Sequence, residues 1–96
     1  MARTASSTEE ITAALASLPG WRHEGDALKK TFQHPTFRDA MAFLVRIGFE
    51  AEQRDHHPEI FNVYGKVEIT LRTHDAGNKV TALDLTLANV IESLAR

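Results

Sequence analysis

Residues 52–59 read Glu52-Gln53-Arg54-Asp55-His56-His57-Pro58-Glu59. This stretch separates the longest helical pattern of the chain from a strand pattern. A proline keeps the residue before it out of helical backbone, so the helix must end here. The stretch also places two adjacent histidines between carboxylates, and histidine exchanges protons near neutral pH. We therefore expect a helix end that carries a proton-transfer site or a metal site.

The helix before this stretch is predicted to run from Phe37 to about Arg54, with Thr36 as its N-cap. Its apolar residues point in almost every direction: Phe37, Ala40, Met41, Phe43, Leu44, Val45, Ile47 and Phe49. A small sheet can cover only one side of such a helix. We expect the other side to pack against further copies of the chain, in a homodimer or homotetramer.

The C-terminal part of the chain predicts a second hairpin and a last helix. Alternating patterns indicate strands over Ile60–Tyr64 and Val67–Thr73, joined by a turn at Gly65-Lys66. A polar loop over 74–79 follows. Thr81 then begins a capping pattern that opens a helix to the C-terminus.

The N-terminal part predicts a helix from about Thr8 to Ser17, capped by Ser7. An antiparallel hairpin of Trp21–His23 and Ala27–Gln33 follows it. Residues 1–6 are small and polar, so we expect them to be disordered. The full order is α-β-β-α-β-β-α, which indicates an α+β fold: a four-stranded antiparallel sheet with three helices packed on one face.

Composition restricts the function. Ninety-six residues fit a single domain, 1–96. The absence of cysteine removes disulfides, thiolate metal sites and cysteine nucleophiles, and fits a cytoplasmic protein. The net charge of −2 gives no basic footprint for nucleic acid. No apolar run is long enough to span a membrane.

The histidines form the candidate site. Glu52 and His56 are one helical turn apart, so they can touch if the helix persists that far. Glu52 and the C-terminal end of the helix dipole would both favour the imidazolium form of His56. His57 must point elsewhere, and His74 could return to the helix end. Solvated surface histidines and a zinc site are the alternatives, although adjacent histidine side chains diverge. Two other histidines are expected to be solvated: His23 and His34.

Several motifs together resemble the pterin-4a-carbinolamine dehydratases. They are Glu52-x-x-x-His56-His57-Pro58-Glu59, Asn62-Val63-Tyr64, Lys66-Val67, Ile69-Thr70-Leu71, Thr73-His74 and Asp84. The resemblance covers the chain from about Trp21 to its end. It implies loss of water from a 4a-hydroxytetrahydropterin to give the quinonoid dihydropterin, in recycling of a pterin cofactor such as tetrahydrobiopterin. The implied partner is this small-molecule pterin.

The resemblance also implies roles for individual residues. His56 and His74 correspond to the acid/base pair, and His57 to a residue that holds the substrate. Six more residues are implied to line or support the substrate pocket: Glu52, Asp55, Arg72, Thr73, Asp75 and Asp84. No cofactor and no metal are implied.

Two departures and one alternative accompany the resemblance. Ile60 stands where the family commonly has tryptophan, which would remove an aromatic wall beside the site. Gly65 replaces a frequent asparagine, a change that a turn should tolerate. Animal relatives also bind a homeodomain transcription factor, so the alternative function is a non-catalytic dimerisation or scaffold module that binds another protein.

Overall fold

The computed structural model describes residues 4–95. The helices and strands are α1 (Thr8–Leu15), β1 (Arg22–Glu24), β2 (Ala27–Gln33), α2 (Phe37–Gln53), β3 (Glu59–Val63), β4 (Lys66–Leu71) and α3 (Ala82–Leu94). A short 3-10 helix, His74–Ala76, follows β4. All strand pairs are antiparallel, in the order β1-β2-β4-β3. The predicted α+β fold and its element order are confirmed.

One face of the sheet carries the core. Strand register places Leu28 opposite Leu71 and Phe32 opposite Val67, so these four side chains share that face. They pack with buried residues of all three helices: Ile11, Ala40, Phe43, Ile47, Leu87, Ala88 and Ile91. The helices therefore lie on one side of the sheet, as the alternation of apolar residues in β4 predicts.

Local hydrogen bonds fix the helix starts. Ser7, Thr36 and Thr81 each accept a backbone N–H with their side chains, so the three predicted N-caps are confirmed. The Ser6 N–H donates to the Val80 carbonyl at 2.8 Å, and the disorder expected of residues 1–6 stays a prediction. Residues 1–3 lie outside the described part of the chain.

Several predicted boundaries differ from the structure by one or two residues. The first helix ends at Leu15, because the next turn closes with hydrogen bonds to carbonyls three residues back, as in Leu18 N–H to Leu15 at 3.1 Å. Strand β4 ends at Leu71, and Thr73 instead forms an isolated bridge with Lys79.

The turn between β3 and β4 is Tyr64-Gly65, one residue earlier than predicted. Lys66 belongs to β4, because it pairs with Val63 in the sheet. Asn62 stabilises the turn by donating from Nδ2 to the carbonyls of Tyr64 at 3.1 Å and Lys66 at 2.9 Å.

Gly65 lies directly against the backbone of His34. The His34 N–H donates to the Gly65 carbonyl at 2.8 Å, and a Cβ at position 65 would lie 2.1 Å from the His34 oxygen. His34 itself is half-buried rather than solvated. Its ring centroid lies 4.8 Å from that of Phe43, and its Nε2 is buried without a partner in residues 4–95. His23 is exposed, as predicted.

Helix α2 keeps an apolar outward face. Val45 is 56% exposed and Phe49 is 71% exposed, while Ala40, Phe43 and Ile47 point into the core. These two apolar side chains therefore stay exposed to solvent in a single copy of the chain. Within residues 4–95, no helix is both long and apolar enough to cross a membrane.

Replacing Gly65 by alanine should destabilise the fold by more than about 1 kcal/mol, since the new methyl group would overlap the His34 carbonyl. Thermal melts measure the effect. Gly48→Ala is the matched control, because a Cβ at Gly48 meets open space and alanine favours helix. If Gly65→Ala melts with the wild type while Gly48→Ala does not, this packing account is wrong.

Candidate active site

The end of α2 sets the direction of the two adjacent histidines. Asp55 has φ of +50°, a left-handed conformation that glycine usually occupies at a helix end. Its N–H donates to the Glu52 carbonyl at 3.1 Å, and the His56 N–H donates to the Ala51 carbonyl at 3.1 Å. This pair of bonds is a Schellman motif, and it turns the chain sharply at Asp55.

A cavity of about 400 Å³ opens beside this helix end. Its lining residues are Asp55, His56, His57, Arg72, Thr73, His74, Asp75 and Leu83. Seven of the nine residues that the sequence singles out therefore meet around one space. The other two, Glu52 and Asp84, do not line it, and each contacts one of the histidines instead.

The helix does not persist as far as His56, so the contact with Glu52 that depended on it does not form. Helix α2 ends at Gln53, and the left-handed turn at Asp55 directs His56 inward, away from the helix face. His56 is buried, and its Nε2 lies 2.6 Å from Oδ1 of Asp84, which is completely buried. The carboxylate beside His56 therefore comes from α3.

Glu52 pairs with the neighbouring histidine. Its Oε1 lies 2.8 Å from Nε2 of His57. Both side chains are more than half exposed, so solvent screens this pair and it contributes little to stability. It can still orient the ring of His57, because the carboxylate occupies one of the two ring nitrogens.

The segment after β4 supplies the opposite wall. Thr73 is buried, and its N–H donates to the Lys79 carbonyl at 2.9 Å. His74 begins the 3-10 helix that follows and is exposed at the edge of the cavity. The sequence alone did not decide whether His74 returns to His56 and His57. The fold brings all three to one cavity.

Charge in the cavity is mixed. Arg72 pairs with Glu59: its Nε lies 2.8 Å from Oε2, and its Nη2 donates a hydrogen bond to Oε1 at 3.4 Å. Asp55 and Asp75 add two carboxylates to the lining. With one guanidinium already paired, the cavity offers mainly acceptors and imidazoles. Such a lining suits a ligand with several N–H donors.

Two residues of the site were missed or misassigned from the sequence. Leu83, near the start of α3, lines the cavity, although the sequence did not single it out as a site residue. Ile60 does not line it, because it lies in β3 opposite Ile69 of β4. The replacement of tryptophan at Ile60 therefore does not open the wall of this cavity. Leu83 supplies the apolar surface instead.

Two histidines of the site are paired with carboxylates. Within residues 4–95, no group of three or more histidine, aspartate or glutamate side chains is placed to hold a metal ion. The Nε2 atoms of His56 and His57 already contact carboxylates. Imidazoles held in this way can donate and accept protons near neutral pH.

Comparison with known proteins gives a consistent result. The family model described as pterin 4 alpha carbinolamine dehydratase matches residues 4–94. Among curated relatives, a protein of Opitutus terrae is 51% identical over 86 residues, covering 90% of this chain and 89% of its own. One of Mesorhizobium japonicum is 48% identical over 90 residues, covering 92% and 91%. Both bear the name "Putative pterin-4-alpha-carbinolamine dehydratase".

Solved structures agree with the fold. A transcriptional coactivator/pterin dehydratase from Brucella melitensis superposes with a TM-score of 0.92 at 35% identity, over 97% of this chain and 100% of that one. A pterin dehydratase-like protein, described as a RuBisCO assembly factor in the alpha-carboxysome, gives a TM-score of 0.68 at 26% identity. That match covers 79% of this chain and 89% of the other.

Substitutions at Asp55 should show that its backbone is strained. Because φ is positive there, Asp55→Gly should be more stable than Asp55→Ala by about 1 kcal/mol in thermal melts. The same two substitutions at Gln53, the last residue of α2, should give the reverse order, since alanine is the better helix former. Equal stability of Asp55→Gly and Asp55→Ala would contradict the left-handed turn that aims His56.

Proposed function

The chain belongs to the pterin-4a-carbinolamine dehydratase family, and on that premise we propose that it removes water from a 4a-hydroxytetrahydropterin to give the quinonoid dihydropterin. The observation that carries the proposal is the convergence of His56, His57 and His74 on one cavity. Its place in pterin cofactor recycling and its cytoplasmic location, both predicted from the sequence, remain predictions.

The reaction needs two proton transfers. The C4a–O bond breaks, and the hydroxyl leaves as water after it receives a proton. The N5–H bond of the pterin also breaks, and its electron pair forms the new N5–C4a double bond. One imidazolium can supply the first proton and one neutral imidazole can take the second. In this proposal His56 and His74 share these roles.

The remaining cavity residues suit a pterin. The pyrimidine edge of the ring presents an amino group and a ring N–H, and the carboxylates of Asp55 and Asp75 can accept hydrogen bonds from such donors. Leu83 gives the flat ring an apolar contact. His57, oriented by Glu52, is proposed to hold the substrate. Arg72, paired with Glu59, is proposed to shape the wall.

A non-catalytic scaffold is the second candidate. It is favoured by two of the similar structures, one described as a transcriptional coactivator/pterin dehydratase and the other as a RuBisCO assembly factor. The two functions differ in what they require of the cavity. Proton transfer depends on the imidazoles, whereas a binding module would work without them. Histidine variants therefore discriminate between them.

The outward face of α2 also supports a homo-oligomer, which we propose as the working form. On this face Val45 and Phe49 lie between Arg38 near the start of the helix and Glu52 near its end. Because Arg38 and Glu52 are equally distant from Val45 along the sequence, two antiparallel α2 helices centred there would bring each arginine to the glutamate of the other copy. The face is therefore complementary to itself.

Alanine substitutions of the three histidines should affect kcat and KM differently. His56→Ala and His74→Ala should each lower kcat by a factor of about 10² to 10⁴, while His57→Ala should chiefly raise KM. Dehydration of carbinolamine is followed after subtracting the uncatalysed rate. The double variant of His56 and His74 should lose less than the product of the single losses.

The control for this series is His23→Ala, which removes an exposed histidine of β1 outside the cavity. It should keep wild-type kcat and KM. Thermal melts confirm that each variant is folded. If all the cavity variants retain wild-type turnover, the histidines do not transfer protons. If the wild type itself gives no turnover above the uncatalysed rate, the scaffold function replaces the dehydratase.

The oligomer is tested by sedimentation at micromolar concentration. Val45→Glu should give a monomer, because it places a charge in the middle of the apolar face. Arg38→Glu should weaken association, and Arg38→Glu combined with Glu52→Arg should restore it. A wild-type protein that sediments as a monomer would overturn the proposal, and failure of the double variant to recover would overturn the antiparallel arrangement.

A further inference from the structure

The carboxylate of Asp84 is completely buried and has a complete set of hydrogen bonds. Oδ1 contacts Nε2 of His56 at 2.6 Å. Oδ2 accepts from the Thr73 hydroxyl at 2.8 Å and from the Thr81 N–H at 2.9 Å. When both oxygens of a buried carboxyl group have hydrogen-bond partners, the donor and the acceptor of each bond can be assigned.

The threonine hydroxyls give the direction of the chain of bonds. The Leu83 N–H donates to the Thr81 hydroxyl oxygen at 3.2 Å. The Thr81 hydroxyl can then donate to the Thr73 oxygen, 2.7 Å away, and the Thr73 hydroxyl donates to Asp84. In this arrangement every hydroxyl donates once, and no donor lacks an acceptor. Oδ2 of Asp84 therefore accepts two hydrogen bonds, and such bonds favour the ionised carboxylate.

An accepting carboxylate determines the tautomer of His56. Because Oδ1 carries no hydrogen, the hydrogen in the 2.6 Å contact belongs to Nε2 of His56. The other ring nitrogen, Nδ1, has no hydrogen bond to residues 4–95 and is not buried, while the residue lines the cavity. Asp84 also stands in the first turn of α3, where the helix dipole favours a negative charge.

We infer that Asp84 is a positioning residue that holds His56 with hydrogen on Nε2, so that Nδ1 is the nitrogen that exchanges a proton with the substrate. The inference rests on the proposed dehydratase function for its catalytic consequence. It assigns Asp84 a role beneath the cavity instead of contact with the pterin. Removing the carboxylate should disturb the tautomer before it disturbs binding.

The same carboxylate also reaches the second wall of the cavity. Thr73, whose hydroxyl donates to Asp84, directly precedes His74 in the chain. One buried group therefore fixes the ring of His56 and the backbone from which His74 projects. Thr73 is accordingly a positioning residue as well, and its hydroxyl is the part that matters. Serine should replace it, and valine should not.

The tautomer is tested by ¹⁵N NMR of the imidazole nitrogens in the wild-type protein without ligand. Neutral His56 should carry its hydrogen on Nε2. In Asp84→Asn, the amide NH₂ can donate to Nε2, so the hydrogen should move to Nδ1. A wild-type His56 with hydrogen on Nδ1 overturns the inference, whatever the protein catalyses.

Kinetics test the consequence. Asp84→Asn should lower kcat by a factor of about 10² or more with little change in KM. Thr73→Val should lower kcat, and Thr73→Ser should restore it, which also gives a result if the Asp84 variant fails to fold. Wild-type kcat in both Asp84→Asn and Thr73→Val overturns the positioning role. A wild type without dehydratase activity defeats the proposed function, and the NMR result still decides the tautomer.

Discussion

The site depends on the hydrogen bonds of one buried carboxylate. A carboxylate taken out of water destabilises a fold unless donors compensate for the lost hydration. The donors to Asp84 come from three parts of the chain: His56 after α2, Thr73 after β4, and the backbone of Thr81 at the start of α3. The charge of Asp84 therefore has its hydrogen bonds only when these three parts of the chain come together. Their contact forms one wall of the cavity.

Two energetically unfavourable features of the fold lie close together, next to His56. The left-handed backbone of Asp55 and the buried charge of Asp84 flank His56 on either side. Strained or buried polar groups of this kind persist when the surrounding structure compensates for them, and they cluster at functional sites. Here the compensation comes from the core between the sheet and its helices, and from the capping bonds that begin α3.

The sequence was sufficient for the fold because the fold follows from local rules. Apolar periodicity, capping residues and the proline at 58 place the helices and strands to within a few residues. The site was predictable as a set of residues, since the histidines and carboxylates lie at element ends. Which histidine pairs with which carboxylate was not predictable. The spacing of Glu52 and His56 assumed a continuous helix, and nothing in residues 52–57 reveals that Asp55 adopts a left-handed backbone.

Asp84 shows why these histidine–carboxylate pairs could not be predicted from the sequence. Its position three residues after Thr81 is fully explained by a capping box, which the structure confirms. The contact with His56 spans 28 residues and leaves no local pattern. Gly65 is similar, because its requirement comes from the backbone of His34 and not from the turn itself. Both belong to tertiary packing, which periodicity does not encode.

The most direct measurement of the central claim is the rate at which the purified wild-type protein dehydrates a freshly prepared 4a-hydroxytetrahydropterin, followed by stopped-flow absorbance. The rate should rise in proportion to protein at catalytic concentrations and should saturate as carbinolamine increases. A rate equal to that of the solution without protein, at every protein concentration, would contradict the claim that this cavity transfers protons to and from a pterin.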